Sequence, residues 1–158
     1  MSRASLLAEI AEGDRLLLDT SVLAAYFDDA EAAHPVARYV VEELVGTGRD
    51  PAVVSMITVM ELLVRPMRSA PPAHHTVLAF LRSQPHLDCV PIDLQVAQEA
   101  AHLRAARRFS PPDALVVGTG LATQVRHLVT NDRGWQPKLA SMSSRVTVVR
   151  VGDHLPFD

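Results

Sequence analysis

Arg15-Leu16-Leu17-Leu18-Asp19 is the stretch on which the fold turns. Three consecutive leucines leave no wet face for a strand, and the run is too short for a buried helix. It reads as a β-strand covered on both sides and ended by a carboxylate, as parallel sheets packed between helices produce. Similar short runs recur at Ala52 to Met56, Leu87 to Ile92, Arg126 to Thr130 and Arg145 to Val151. Helical stretches separate them: Ser21, as N-cap, to Phe27; Ala30 to Val45, closed by Gly46 and Gly48; Thr58 to Met67; Pro71 and Pro72 to Leu81; Leu94 to Phe109; Ser110 to Thr123; and Trp135 to Met142. Ser2 to Glu12 reads as a further amphipathic helix. Strands alternating with helices predict an α/β class: a three-layer sandwich with a central, mostly parallel sheet flanked by helices. No repeat, linker or shift in composition divides the chain. Residues 1–158 therefore read as one domain, with 1–14 as an N-terminal helical extension.

Composition narrows the function classes. The chain has 158 residues, 48% apolar and 21% charged, enough for a sizeable core and unlike a disordered segment. The longest charge-free run, Ser69 to Leu81, contains two prolines and is shorter than the roughly 18 apolar residues of a membrane span. Glu9 and Glu12 interrupt the N-terminal apolar stretch, so it does not read as a secretory signal. The one cysteine, Cys89, excludes an internal disulfide framework and reads as a small buried apolar residue. A cytoplasmic protein is expected. A net charge of −3 gives no global footprint for nucleic acid, so binding of that kind needs local patches.

The chemistry is carried by acids. Asp19 ends the first strand and Asp132 follows the apolar run His127-Leu128-Val129; Glu61 and Asp113 are expected in the first turns of their helices. In an open α/β sheet, strand C-termini and the nearby helix N-termini face one crevice. Four carboxylates from distant parts of the chain then converge there, and they repel unless a cation neutralises them. Oxygen-only ligation suits Mg²⁺ or Mn²⁺. Each acid but one also has a plain structural reading. Thr58-Val59-Met60-Glu61 and Ser110-Pro111-Pro112-Asp113 are capping-box patterns, and Asp132 can N-cap the helix at Trp135. Asp19 has no such reading, because a charge after three leucines is costly if buried without a partner.

The segments Leu17-Leu18-Asp19-Thr20-Ser21-Val22-Leu23, Ser55-Met56-Ile57-Thr58-Val59-Met60-Glu61-Leu62, Pro112-Asp113-Ala114-Leu115 and Leu128-Val129-Thr130-Asn131-Asp132 occur in order. The set resembles the motifs of PIN-domain ribonucleases, in particular the VapC toxins of bacterial toxin–antitoxin pairs, and extends from Arg15 onward. The resemblance implies an acidic quartet of Asp19, Glu61, Asp113 and Asp132, with Thr20, Ser21, Thr130 and Asn131 in support. It implies an endoribonuclease in which Mg²⁺, or Mn²⁺ in its place, activates a water for in-line attack on RNA. It also implies a cognate antitoxin and a homodimer. The early apolar residues Val36, Tyr39, Val40, Leu44, Leu62 and Leu63 offer apolar material for that dimer surface while serving the core in part. The pattern is departed from at Gly134, where many relatives carry a fifth acid, which leaves one metal or two open.

Arg104, Arg107 and Arg108 fall at i, i+3 and i+4 and could grip RNA phosphates from one helix face just before Asp113. Gly118-Thr119-Gly120 mimics part of a dinucleotide fingerprint, but Thr123 replaces its last small residue, and close helix packing explains it better. A receiver domain needs an acid pair after its first strand and a late lysine, where this chain has Leu18 before Asp19 and a misplaced Lys138. A haloacid-dehalogenase-type phosphatase needs an acid where Ser21 stands. A non-catalytic α/β binding module, with the acids as dispersed caps, and a PIN-like RNA-processing nuclease outside any toxin pair remain the alternatives.

Overall fold

The computed structural model describes residues 3–69 and 72–158. Ser2 and Pro71, both assigned to helix starts from sequence, lie outside them. Among the described residues, β1 (Leu16–Leu18), β2 (Ala52–Ser55), β3 (Leu87–Val90), β4 (His127–Thr130) and β5 (Thr147–Arg150) form one sheet in the order β3-β2-β1-β4-β5. All four pairings are parallel, with Leu17 opposite Val53 on one side and Leu128 on the other. The three leucines of β1 are fully buried. Leu16 and Leu18 join the core under α1 (Arg3–Glu9), α2 (Thr20–Phe27) and α3 (His34–Tyr39), while Leu17 joins the core under α6 (Leu94–Arg107), α7 (Pro111–Ala122) and α8 (Trp135–Leu139). The sheet therefore has a helical layer on each face, as the leucine run predicts.

Four local readings are corrected. The expected helix from Ala30 to Val45 starts only at His34, where Pro35 fixes the first turn, and Val40–Val45 is π-helical. There Gly46 N–H reaches back to Val41 O at 2.9 Å. A Cβ on Gly46 would lie 2.5 Å from Glu42 O, so the widened turn closes only around a glycine. Val36, Val40 and Leu44, weighed as dimer surface, are buried in the core. Cys89 is exposed, because β3 is an edge strand that buries Leu87 but not Asp88 or Cys89. Helix α4 (Met56–Ser69) begins two residues before Thr58, so Thr58 is inside the helix rather than its cap and Glu61 stands in the second turn. Its apolar residues Met56, Met60, Val64 and Met67 form an exposed stripe.

Gly118 lets α7 approach α6 (Leu94–Arg107): a Cβ there would lie 3.0 Å from Ala100 N and from Val96 O. Close packing thus accounts for the Gly-Thr-Gly run. The N-terminal segment is built into the core. Leu6 and Ile10 are fully buried, Ser5 Oγ is 2.8 Å from His154 Nδ1, and Arg49 Nη2 donates to Ile10 O at 3.0 Å. Asp50, wholly buried, accepts from Gly13 N at 3.1 Å and pairs with Arg49. Replacing Ile10 by Ala should lower the unfolding free energy by about 2–5 kcal/mol in urea titrations, the range for emptying a core position. A loss within about 0.5 kcal/mol, as at a surface position, would show that residues 3–14 are an appendage.

Candidate active site

β1 is the strand at which the chain order reverses, with β2 on one side and β4 on the other. The crevice at the carboxyl ends of two such strands is the usual binding position in an open α/β sheet. Asp19 follows β1 directly. Its N–H donates to Val129 O at 3.0 Å, and its carbonyl accepts from Val22 N at 3.1 Å, so Asp19, rather than Ser21, is the N-cap of α2. The residue is 8% exposed. Oδ2 accepts from Thr130 Oγ1 at 2.8 Å and from Ser21 Oγ at 2.8 Å. Ser21 Oγ in turn accepts from Asn131 N at 2.9 Å, and Thr130 Oγ1 accepts from Asp132 N at 3.0 Å. The loops after β1 and β4 are laced together through hydroxyls. Burial pushes the Asp19 carboxyl above its ordinary pKa; the Thr130 and Ser21 hydroxyls and the backbone N–H groups of Thr20 and Ser21 pull it part of the way back.

The neighbouring hydroxyl serves a different acid. Thr20 Oγ1 donates to Glu61 Oε2 and lies 3.2 Å from Thr58 Oγ1. Thr58 is fully buried and was read from sequence only as a cap; nothing in the pattern set it apart as a hydroxyl facing α2. Asp113 is tied to Ser110, whose Oγ donates to Oδ2 at 2.8 Å and accepts from Asp113 N at 3.4 Å. This is the capping arrangement expected from Ser-Pro-Pro-Asp. Because α7 runs into the start of β4, its first turn stands at the C-terminal edge of the sheet, the edge that Asp19 occupies. Asp132 is exposed. Its Oδ1 accepts from Gly134 N at 2.6 Å, and Gly134, not Asp132, caps α8. Gly134 has an ordinary φ of −77°.

Thus Asp19 and Asp132 share Thr130, Asp19 and Glu61 are held by consecutive residues of α2, and Asp113 is brought to the same edge by topology. Among the described residues no three His, Cys, Asp or Glu side chains are gathered into a cage for a metal ion. The donors are carboxylate and hydroxyl oxygens, which match a hard dication. Mg²⁺ commonly takes one or two carboxylates and completes its shell with water and substrate phosphate, so a fixed Asp19 with looser neighbours fits it.

The arginines are not on one helix face. α6 ends at Arg107, and Arg108 turns away with φ 55°. Arg107 is half-buried and donates to Lys138 O at 3.0 Å and to Ser141 Oγ at 2.8 Å; Arg104 and Arg108 are exposed. Sequence reasoning also missed a groove of about 600 Å³ between α2, α4 and α5 (Ala73–Ser83), lined in part by Phe27, Leu62, Arg65 and Val77, that opens onto Thr20 and Glu61.

A carboxyl whose folded pKa is raised binds more protons folded than unfolded, so stability falls as pH rises through the interval between the two values. Ionised Asp19 therefore destabilises the metal-free protein at neutral pH. Asp19→Asn keeps an oxygen to accept from Thr130 and Ser21 and removes the charge. In EDTA the variant should melt above the parent at neutral pH, and the gap should close in acid. Equal melting temperatures at neutral pH would show that the buried charge carries no cost.

No curated protein matches the sequence significantly. Solved structures match the fold. A chain of VapBC2 from Rickettsia felis, bound to a DNA fragment from its promoter, superposes with a TM-score of 0.65 at 15% identity, covering 86% of this chain and 98% of that one. A chain of DNA-bound VapBC from Salmonella typhimurium gives 0.62 at 22% identity, over 87% and 98%. VapC20 of Mycobacterium tuberculosis, described as a Sarcin-Ricin loop cleaving toxin, gives 0.58 at 16% identity, over 72% and 86%. The family model of the PIN domain matches residues 16–140, which span β1 to the start of the turn after α8 and include all four acids. The chain belongs to the PIN-domain family.

Proposed function

We propose that this chain is a Mg²⁺-dependent endoribonuclease, with Mn²⁺ able to substitute, and the toxin of a toxin–antitoxin pair. The observation that carries the reading is the Asp19 carboxylate, buried at the switch point of the sheet in a PIN-domain chain and held by hydroxyls, with no cationic side chain among the described residues paired to it. The structural neighbours that are toxin–antitoxin complexes, and the one described as cleaving the Sarcin-Ricin loop, support the substrate class and the biological setting.

In this reading Asp19 and Asp113 are the direct metal ligands, with Asp132 a further ligand and Glu61 ligating or orienting the attacking water. The cation supplies Lewis acidity toward the water and the scissile phosphate. The protein's part is positional. Thr130 and Ser21 fix the Asp19 carboxylate, Thr20 fixes Glu61, and Ser110 fixes Asp113 at the head of α7. Asn131 contributes through its backbone N–H, which holds Ser21.

Two surfaces support protein partners. The groove beside Thr20 and Glu61 suits an amphipathic segment of an antitoxin, which would bring an arginine to the acids. The exposed stripe Met56, Met60, Val64 and Met67 suits a second copy of the chain. Light scattering at micromolar concentration should give the mass of a homodimer, and Met60→Glu should return it to a monomer; a monomeric parent would remove the dimer from the reading.

RNA cleavage should require Mg²⁺ or Mn²⁺, and Asp19→Asn and Asp113→Asn should each lower it at least about a hundredfold while circular dichroism stays native. Full cleavage in excess EDTA, or by both variants, would refute the mechanism. With four acids at the edge, one ion should bind the RNA-free protein well and a second only weakly. Gly134→Asp should strengthen the second site, since its φ suits any residue, although its Cβ would sit 3.0 Å from Asp132 Oδ1. Calorimetric titration with Mn²⁺ counts the ions; two equally tight sites in the parent would show that four acids suffice.

A further inference from the structure

We propose that the end of α6 and the helix α8 form a single cationic platform that holds the phosphate backbone of RNA on the Asp113–Asp132 side of the site. The proposal rests on the ribonuclease reading for its ligand and adds the surface by which RNA is gripped. Arg104, Arg107 and Arg108 come from the end of α6, Lys138 from α8, and Arg133 from the turn that enters α8. The two elements are clasped together. Arg107 donates to Lys138 O at 3.0 Å and to Ser141 Oγ at 2.8 Å; Lys138 Nζ reaches Arg108 O at 3.4 Å and lies 4.8 Å from the centre of the Phe109 ring.

Among the described residues, none of these five cations pairs with a carboxylate, whereas Arg38, Arg49, Arg65, Arg145 and Arg150 each do. Cations at the end of a helix complement its dipole, which accounts for Arg104 and Arg107. Lys138, in the last turn of α8, has the same reading, but Arg133, which precedes that helix, does not. Nor does the dipole account for Arg108, which leaves the helix in the left-handed region at φ 55°, a conformation unfavourable for a residue with a side chain. Like charges brought together repel, and an anion running past them removes the repulsion. The platform also continues into the site along both loops: the chain passes from Arg108 through the buried Phe109 to Ser110 and Asp113, and Arg133 directly follows Asp132. Arg107 is the clasp, and Arg104, Arg108, Arg133 and Lys138 are the phosphate-facing groups. RNA so held crosses the acids from the α6–α8 side.

The test is binding without turnover. A 5′-fluorescein single-stranded oligoribonucleotide is titrated with the full chain in EDTA by fluorescence anisotropy over a series of salt concentrations. Arg104→Gln/Arg108→Gln removes two exposed charges that make no internal ion pair, so the fold is kept. Each phosphate contact on a single strand contributes about 0.7 to the slope of log K against log salt, so the slope should fall by about 1.4 and affinity at low salt should drop. Arg82→Gln, an exposed arginine on α5, should leave the slope as in the parent. A double variant that matches Arg82→Gln, or a parent that does not bind the oligoribonucleotide, overturns the platform. Binding is read in EDTA and cleavage separately in Mg²⁺, so an inactive parent that binds RNA with the expected slope would refute the nuclease reading and leave the platform standing, and active cleavage with an unchanged slope would do the reverse.

Discussion

A hydroxyl from the end of β4 donates to a carboxylate just after β1, and the acidic edge of the sheet is arranged around that contact. Thr130 ends one, and Asp19 directly follows the other, of the two strands between which the chain order reverses. A carboxylate at this depth is costly unless its oxygens are satisfied. The chain satisfies them from both sides: Thr130 from one loop, Ser21 from the other, with Asn131 N–H holding Ser21 in turn. The loops cannot shift independently without leaving the buried charge short of a donor.

The same arrangement divides labour between adjacent residues. Ser21 serves Asp19 and Thr20 serves Glu61, because successive positions on the first turn of α2 point in different directions. One short helix thus places two acids that are 42 residues apart in sequence. Ser110 does the same for Asp113 at the head of α7, and the Gly134 N–H steadies the Asp132 side chain. Helix caps and Asx turns are ordinary devices of stability; in this chain they also fix where negative charge stands.

Much of the architecture was legible because it rests on local, additive signals. Leu16-Leu17-Leu18 could only be a strand covered on both faces, and Ser110-Pro111-Pro112-Asp113 specified its own cap. What escaped were features decided by contacts between distant elements. Thr58 looked like a helix start, yet β2 passes straight into α4 and carries Thr58 inside, beside Thr20. Arg108 looked like one more helical residue until the chain reversed there. The π-helical turn at Val40–Val45 depends on a glycine three-dimensionally close to Glu42 O, which no periodicity reports. Cys89 has an apolar composition around it but stands on an edge strand, and strand order is not written in any one segment. The acids themselves could be nominated from their places after strands and at helix heads, while their separation into hydroxyl-linked neighbours rather than a closed cage could not.

The distance along the chain between the two partners of the central contact has a consequence for biosynthesis. Asp19 and Thr130 are 111 residues apart, and Ser5 and His154 are 149 apart. Contacts of such long range form late, after most of the chain entropy has been surrendered. A nascent chain holding β1, β2 and their helices has the first two acids but neither Asp113 nor Asp132, and no β4 to cover the other edge of β1. The acidic edge therefore comes into being only once Asp113, β4 and Asp132 have all been delivered, and a nascent chain that stops short of them has two acids and no completed site.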